Sequence, residues 1–70
     1  MSIFNKRLKK LRKNKGLTQK ELADHIDVVQ SKISSWETER LEPNLYRLIQ
    51  LADYFGVTTD YLLGREEEKS

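Results

Sequence analysis

The sequence predicts an all-α fold, a compact domain of five short helices. Apolar residues recur every three or four positions through most of the chain, which is the spacing of one helix face. No segment shows sustained alternation of apolar and polar residues, the pattern of a half-buried strand. Gly16, Pro43, Gly56 and Gly64 interrupt the periodic segments at short intervals, and such residues are typical of helix ends.

The first helix is predicted over residues 3–15. Phe4, Leu8 and Leu11 fall on one side of such a helix, and Lys and Arg cover the rest. Gly16 follows directly, and glycine readily adopts the left-handed conformation that ends a helix.

A capping box marks the start of the second helix. The Thr18 hydroxyl can accept from the amide of Glu21, whose carboxylate can accept from the Thr18 amide. A third helix should follow over 30–38, after only about three residues, and helices joined so closely must cross steeply. The sequence therefore predicts a helix-turn-helix at about 18–38. We expect three apolar side chains of the third helix to point inward: Val29, Ile33 and Trp36.

Asn44 and Thr58 are suited to cap the last two helices. The fourth helix should bury its apolar residues at three- or four-residue spacing, namely Leu45, Leu48, Ile49, Ala52 and Phe55. The fifth helix is short, over 59–63. The domain should therefore occupy 1–64, and 65–70, which contain no apolar residue, should form a frayed acidic tail.

Composition narrows the classes of function. A chain of 70 residues and 8.3 kDa buries about 60% of its surface, enough for one small core. The chain has no cysteine, which excludes disulfides and thiolate–metal sites. It has a single histidine, His25, and we expect no metal site there. No Gly-rich phosphate loop and no nucleophile beside a base are present, so we expect no enzyme activity, no catalytic residue and no cofactor. Without a long apolar segment or a signal peptide, we expect a cytoplasmic protein with no membrane partner.

The net charge of +2 conceals a strong asymmetry. Residues 1–20 contain eight Lys and Arg and no acid, whereas residues 21–70 contain five Lys and Arg and eleven Asp and Glu. A concentrated positive end is typical of proteins that bind a polyanion. The alternative is a solvated helix surface without a ligand.

Several separated segments carry a family resemblance. Residues 17–23 (LTQKELA), 33–37 (ISSWE), Pro43 and 56–64 (GVTTDYLLG) resemble the lambda-repressor/Cro-like (XRE) family of helix-turn-helix DNA-binding domains over about residues 3–64. The resemblance implies that the third helix is a recognition helix in the major groove of double-stranded DNA. It also implies a transcriptional regulator, expected to be a phage-like repressor, that binds a two-fold operator as a homodimer.

The resemblance assigns roles to particular residues. The residues expected to contact bases are Gln30, Ser31, Ser35 and Val29. Those expected to contact phosphates are Gln19, Lys32, Arg40, Lys10 and Lys20. Arg12 and Glu37 are expected to form a structural ion pair, and the homodimer is expected to pair through 57–63, with Tyr61 as a contact. No inducer is indicated.

Three residues depart from the family pattern. Asp27 and Glu39 stand where glycine is usual, and Val29 stands where Ser or Thr usually caps the recognition helix. These departures favour an alternative function, a protein-interaction module such as an anti-repressor or antitoxin part on the same fold. A third possibility is that the first helix binds an anionic membrane. This binding would need the same apolar side chains that the core needs.

Overall fold

The computed structural model describes residues 3–67, and five α-helices account for most of them. The helices are α1 (Phe4–Asn14), α2 (Gln19–Ile26), α3 (Gln30–Glu37), α4 (Leu45–Phe55) and α5 (Thr59–Leu62). Within the described residues no strand is present, and the predicted all-α fold is confirmed. The Cα radius of gyration is 11.0 Å, about the value expected for a compact chain of this length. None of the described helices is long and apolar enough to cross a membrane.

Three predicted caps fix where helices begin. Thr18 Oγ1 accepts from the amide of Glu21 at 3.1 Å, and Glu21 Oε1 accepts from the Thr18 amide at 2.8 Å. Asn44 Oδ1 accepts from the amide of Arg47, and Thr58 Oγ1 accepts from an amide in α5. Each side chain satisfies an amide that the helix itself leaves without a partner.

One apolar core joins all five helices. Its buried side chains are Phe4, Leu8, Leu22, Ala23, Ile26, Ile33, Trp36, Leu48, Leu51, Ala52 and Leu62. Both α1 and α2 pack against α3, while α5 packs against α1 and α4. Because α3 is held from two sides, its remaining surface keeps a fixed orientation in the domain.

The predicted buried side of α4 is partly wrong. The periodicity predicts that Leu45 and Ile49 point inward, but they are 78% and 52% exposed. Leu51 takes their place and is fully buried, beside Leu48 and Ala52. The helix carries two adjacent apolar stripes at three- and four-residue spacing, and only one of them can face the core.

The acidic segment after α5 is partly held by the domain. The sequence predicts fraying from Arg65 onward, but Arg7 Nη1 donates to the carbonyl oxygens of Tyr61 and Glu66 at 2.6 and 2.5 Å. The Thr58 hydroxyl also donates to the Glu66 carboxylate. These contacts need α1 and α5 to be in place, so the local sequence could not predict them. The rest of the predicted tail, 68–70, lies outside the described residues.

Candidate nucleic-acid interface

The turn between α2 and α3 depends on an aspartate in the left-handed region. Asp27 has φ 61° and ψ 50° and ends α2, a conformation that aspartate tolerates better than most residues. The carbonyl of Ile26 accepts from Arg47 Nη1 at 2.9 Å and from Gln50 Nε2 at 3.2 Å. These two α4 side chains therefore brace the turn. No local sequence pattern predicts this bracing, because the hydrogen bonds join residues more than twenty positions apart.

Helix α3 has one buried side and one polar side. Ile33 and Trp36 are 0% and 2% exposed, and this fixes the rotation of the helix. Gln30 and Ser31 are exposed at its start, and Ser35 is half-buried one turn later. The structure thus brings the three predicted base-contacting polar residues to the surface of one helix.

Two further residues of this region, Val29 and Ser34, do not match the predictions from the sequence. Val29 is not inward; it precedes the first turn of α3 and is 66% exposed, so its side chain is available to a ligand rather than to the core. Its side chain makes no capping hydrogen bond. Ser34 was not predicted, yet it is half-buried at the surface of α3. It lies four residues after Gln30 and three after Ser31, which places it on the same side of the helix.

A buried network ties the end of α3 to α1 and α2. Arg12 Nε donates to Glu37 Oε2 at 2.6 Å, and Arg12 Nη2 donates to Glu37 Oε1 at 3.0 Å. Arg12 Nη1 also donates to the carbonyl of Leu17 at 2.7 Å. The hydrogen bond to Glu37 raises the pKa of Arg12 above its ordinary value, although burial alone would lower it. The expected ion pair is therefore present as a bidentate contact between two helices.

Gln19 belongs to the same network. Its Nε2 donates to Glu37 Oε1 at 3.2 Å, so its amide group is oriented by the ion pair at the first residue of α2. The family resemblance predicts a phosphate contact for Gln19, and the hydrogen bond to Glu37 is an additional contact that the sequence does not predict. A side chain held in this way, beside the free amides of a helix start, is suited to a phosphate oxygen.

The predicted phosphate-contacting cations do not all lie together. Lys32 and Arg40 are exposed on α3 and on the loop that follows it. Lys20 is also exposed and pairs with Asp24 at 3.6 Å within α2. Lys10 is separate: it stands two residues before Arg12, which puts it nearly on the opposite side of α1 from the contact with α3.

The described residues offer little else to a ligand. No group of three His, Cys, Asp or Glu within residues 3–67 is placed to hold a metal ion. His25 stacks on Tyr54, with ring centroids 5.6 Å apart. We therefore interpret His25 as a residue that packs against α4. The polar side of α3 is therefore the strongest candidate site.

Comparison with known proteins agrees with this geometry. A family profile described as a helix-turn-helix domain matches residues 5–68. The chain is 39% identical to the HTH-type transcriptional regulator ImmR of Bacillus subtilis, with 91% of the chain and 50% of ImmR covered. It is 42% identical to the HTH-type transcriptional activator BcrR of Enterococcus faecalis, with 91% of the chain and 31% of BcrR covered. The chain thus spans half or less of these relatives.

A solved structure extends the likeness to a DNA complex. The P22 c2 repressor in complex with a synthetic operator superposes with a TM-score of 0.85 at 29% identity. The match covers 94% of this chain and 100% of the repressor chain. The agreement therefore includes the whole arrangement of helices around α3.

Proposed function

Since the chain belongs to the helix-turn-helix domain family and resembles the lambda-repressor-like members within it, we propose that it is a sequence-specific DNA-binding transcriptional regulator. The observation that carries the proposal is the exposed polar side of α3, held in one orientation by a buried core and by the Glu37 network. In this role α3 occupies the major groove of an operator. We also propose that the protein acts in the cytoplasm. Occupation of the operator would exclude polymerase and repress transcription.

Base contacts are assigned to the first turns of α3. Gln30 can pair with adenine through both its donor and its acceptor, whereas Ser31 and Ser35 discriminate less between bases. The exposed methyl groups of Val29 suit the methyl group of thymine. Specificity in this proposal therefore depends mainly on Gln30.

Phosphate contacts would position the domain on either side of α3. Gln19 and the start of α2 would hold one phosphate, while Lys32, Arg40 and Lys20 supply positive charge nearby. We leave Lys10 out of this set because it lies on the far side of α1. These contacts carry no sequence information, but they supply affinity that depends on salt.

We further propose that the protein binds a two-fold operator as a homodimer. The pairing surface proposed from the sequence, 57–63, contains the half-exposed Leu63. Its other proposed contact, Tyr61, lies under Arg7, with the guanidinium carbon 4.3 Å from the ring centroid. Sedimentation with and without operator should show two chains per operator; one chain per full operator would refute the pairing.

Titration of DNA by mobility shift tests the proposal directly. At low salt the protein should shift double-stranded DNA, and the affinity should fall steeply as salt rises because bound phosphates release counterions. A reporter gene with the operator at its promoter should be repressed. If no DNA is bound at low salt while a stoichiometric protein partner is recovered, the chain is instead an interaction module.

A further inference from the structure

Helix α4 carries an apolar side that the core does not use. Leu45 is 78% exposed, Tyr46 is 67% exposed and Ile49 is 52% exposed. Residues three and four apart are neighbours on a helix, so Ile49 lies next to both of the others. The described part of the chain therefore leaves a continuous apolar surface uncovered, and these three residues are called the α4 patch.

The size of the α4 patch is typical of an interaction surface. One tyrosine can bury about 150–250 Å², so the exposed fractions of the three side chains amount to roughly 400 Å². Exposed apolar patches of this size on a single chain are often functional. None of the three side chains is charged, and charged residues are rare at the centre of protein–protein interfaces.

Tyr46 is held in place before any partner binds. The Arg47 guanidinium carbon lies 5.3 Å from the centroid of the Tyr46 ring. Arg47 is itself fixed by its hydrogen bonds to the carbonyl of Ile26 and to Gln50 Oε1. An aromatic side chain that is already oriented loses less conformational entropy on binding. Tyrosine is also among the residues that contribute most to protein–protein affinity, so the patch suits a protein partner.

The charges along α4 indicate which protein fits. Asp53 is exposed one turn after Ile49 on the side of the patch. It lies near the negative end of the helix dipole, where an acid is unfavourable, whereas the first turn of α4, at the positive end, contains no acid. A second α4 running antiparallel would bring its Asp53 beside Leu45 and would place Ile49 against Ile49. The α4 patch is therefore complementary to a second copy of itself.

We propose that the α4 patch pairs with the α4 patch of a second copy of this chain on the operator. The proposal rests on the proposed operator-bound homodimer and gives its interface a centre. Leu63 lies at the edge of that interface, where it lines a small groove with Leu48 and Pro43. Recognition helices on adjacent half-sites are about 34 Å apart, so each α3 lies about 17 Å from the two-fold axis. A domain of 29 × 23 × 19 Å accommodates that distance between α3 and the α4 patch.

The contact is too small to hold two chains together firmly in solution. Two patches bury roughly 800 Å² in total, against about 1,200–2,000 Å² in stable interfaces. Two half-sites on one duplex act as a linker, which raises the effective concentration of the second chain to about millimolar. We therefore expect the pairing on the operator, where it appears as cooperative binding.

Titration of two duplexes measures the pairing. One duplex carries the full operator obtained by selection from a random pool, and the other carries a single half-site. In a mobility-shift titration the full chain should fill the second half-site about ten- to a hundredfold more tightly than a lone half-site. Ile49→Glu and Ile49→Lys should each lower this cooperativity about tenfold or more, because like charges would meet at the two-fold axis. An equal mixture of the two variants should bind cooperatively again.

Asn14 provides the matched control. It is exposed at the end of α1, outside α4 and outside the proposed DNA contacts. Asn14→Glu and Asn14→Lys change the net charge by the same amounts as the Ile49 variants, yet their cooperativity should stay within about twofold of wild type. Thermal unfolding, followed by circular dichroism, should show all four variants folded, because substitutions at exposed positions change stability little.

The two duplexes separate failure of the pairing from failure of operator binding. If the wild-type protein prefers no half-site over a scrambled duplex, the proposed function fails and the pairing fails with it. If it binds a lone half-site specifically but shows no cooperativity on the full operator, only the pairing fails. Cooperativity that both Ile49 variants leave unchanged would also overturn the pairing, since the two chains would then meet through another surface.

Discussion

Arg12 and Glu37 join α1 to the last turn of α3 through a bidentate ion pair, with Arg12 Nε 2.6 Å from Glu37 Oε2. Their side chains are only 9% and 2% exposed. The pair also orients Gln19, whose amide donates to the same carboxylate. One buried carboxylate thus links the proposed base-contacting helix to a proposed phosphate contact.

Loss of the carboxylate should destabilise the domain strongly. Glu37→Ala would leave the Arg12 charge buried beside the Leu17 carbonyl alone, which we expect to cost about 3–5 kcal/mol in the free energy of unfolding. That is a large part of the free energy of unfolding of a small domain. Unfolding by urea, followed by circular dichroism, measures the change.

The double variant Arg12→Met with Glu37→Met is the control for this prediction. It removes both charges and keeps apolar volume, so it should recover about 2 kcal/mol or more of the loss. A cost below about 1 kcal/mol for Glu37→Ala would show that the pair contributes little.

Val29→Thr should stabilise the start of α3. Val29 has the extended backbone of an N-cap but no side-chain hydrogen bond, and a threonine hydroxyl would supply one. We expect a gain of about 1 kcal/mol, seen as a rise of several degrees in the midpoint of thermal unfolding. Val29→Ala, which offers no oxygen, should bring no such gain; equal stability of the two variants would contradict the capping argument.

Two substitutions of Glu39 distinguish the effect of backbone strain on stability from the effect of charge. Its φ is 63°, a conformation that costs a residue with a Cβ about 1 kcal/mol or more. Glu39→Gly should therefore be more stable than Glu39→Gln by about 1 kcal/mol in the free energy of unfolding, because only glycine removes the strain. Both variants should bind DNA more tightly in a mobility-shift titration, because each removes a negative charge beside α3. Equal stabilisation by Gln and Gly would show that charge, not strain, is the cause.

Alanine substitutions of Leu48 and Leu45 test which side of α4 faces the core. Leu48 is 8% exposed and Leu45 is 78% exposed. Leu48→Ala should cost about 2–4 kcal/mol through the cavity it leaves, while Leu45→Ala should change stability by about 0.5 kcal/mol or less. Urea unfolding of the two variants measures the difference, and similar losses would mean that the helix is rotated from the orientation described.

Local signals in the sequence were sufficient for the helices and their starts. Thr18 with Glu21 and Asn44 with Arg47 are contacts within one turn, so residue type and spacing determine them. The orientation of α4 was not predictable in the same way. Its rotation depends on which apolar stripe the other helices cover.

Long-range contacts account for the site residues that sequence analysis missed or misplaced. The position of Lys10 depends on which side of α1 meets α3. The bond from Gln19 to Glu37 and the bracing of Ile26 by Arg47 join residues far apart in the chain. Periodicity along one helix contains no information about such pairs.

Selection of bound sequences from a random pool of double-stranded DNA tests the central claim most directly. The wild-type protein should enrich a two-fold symmetric sequence. Gln30→Ala should enrich the same sequence but lose preference at one position in each half-site, at a cost of about 1–3 kcal/mol for that base. Gln19→Ala should weaken binding to all sequences alike. Enrichment of no sequence by the wild-type protein, or an unchanged preference in Gln30→Ala, would contradict the assignment of α3 as the recognition helix.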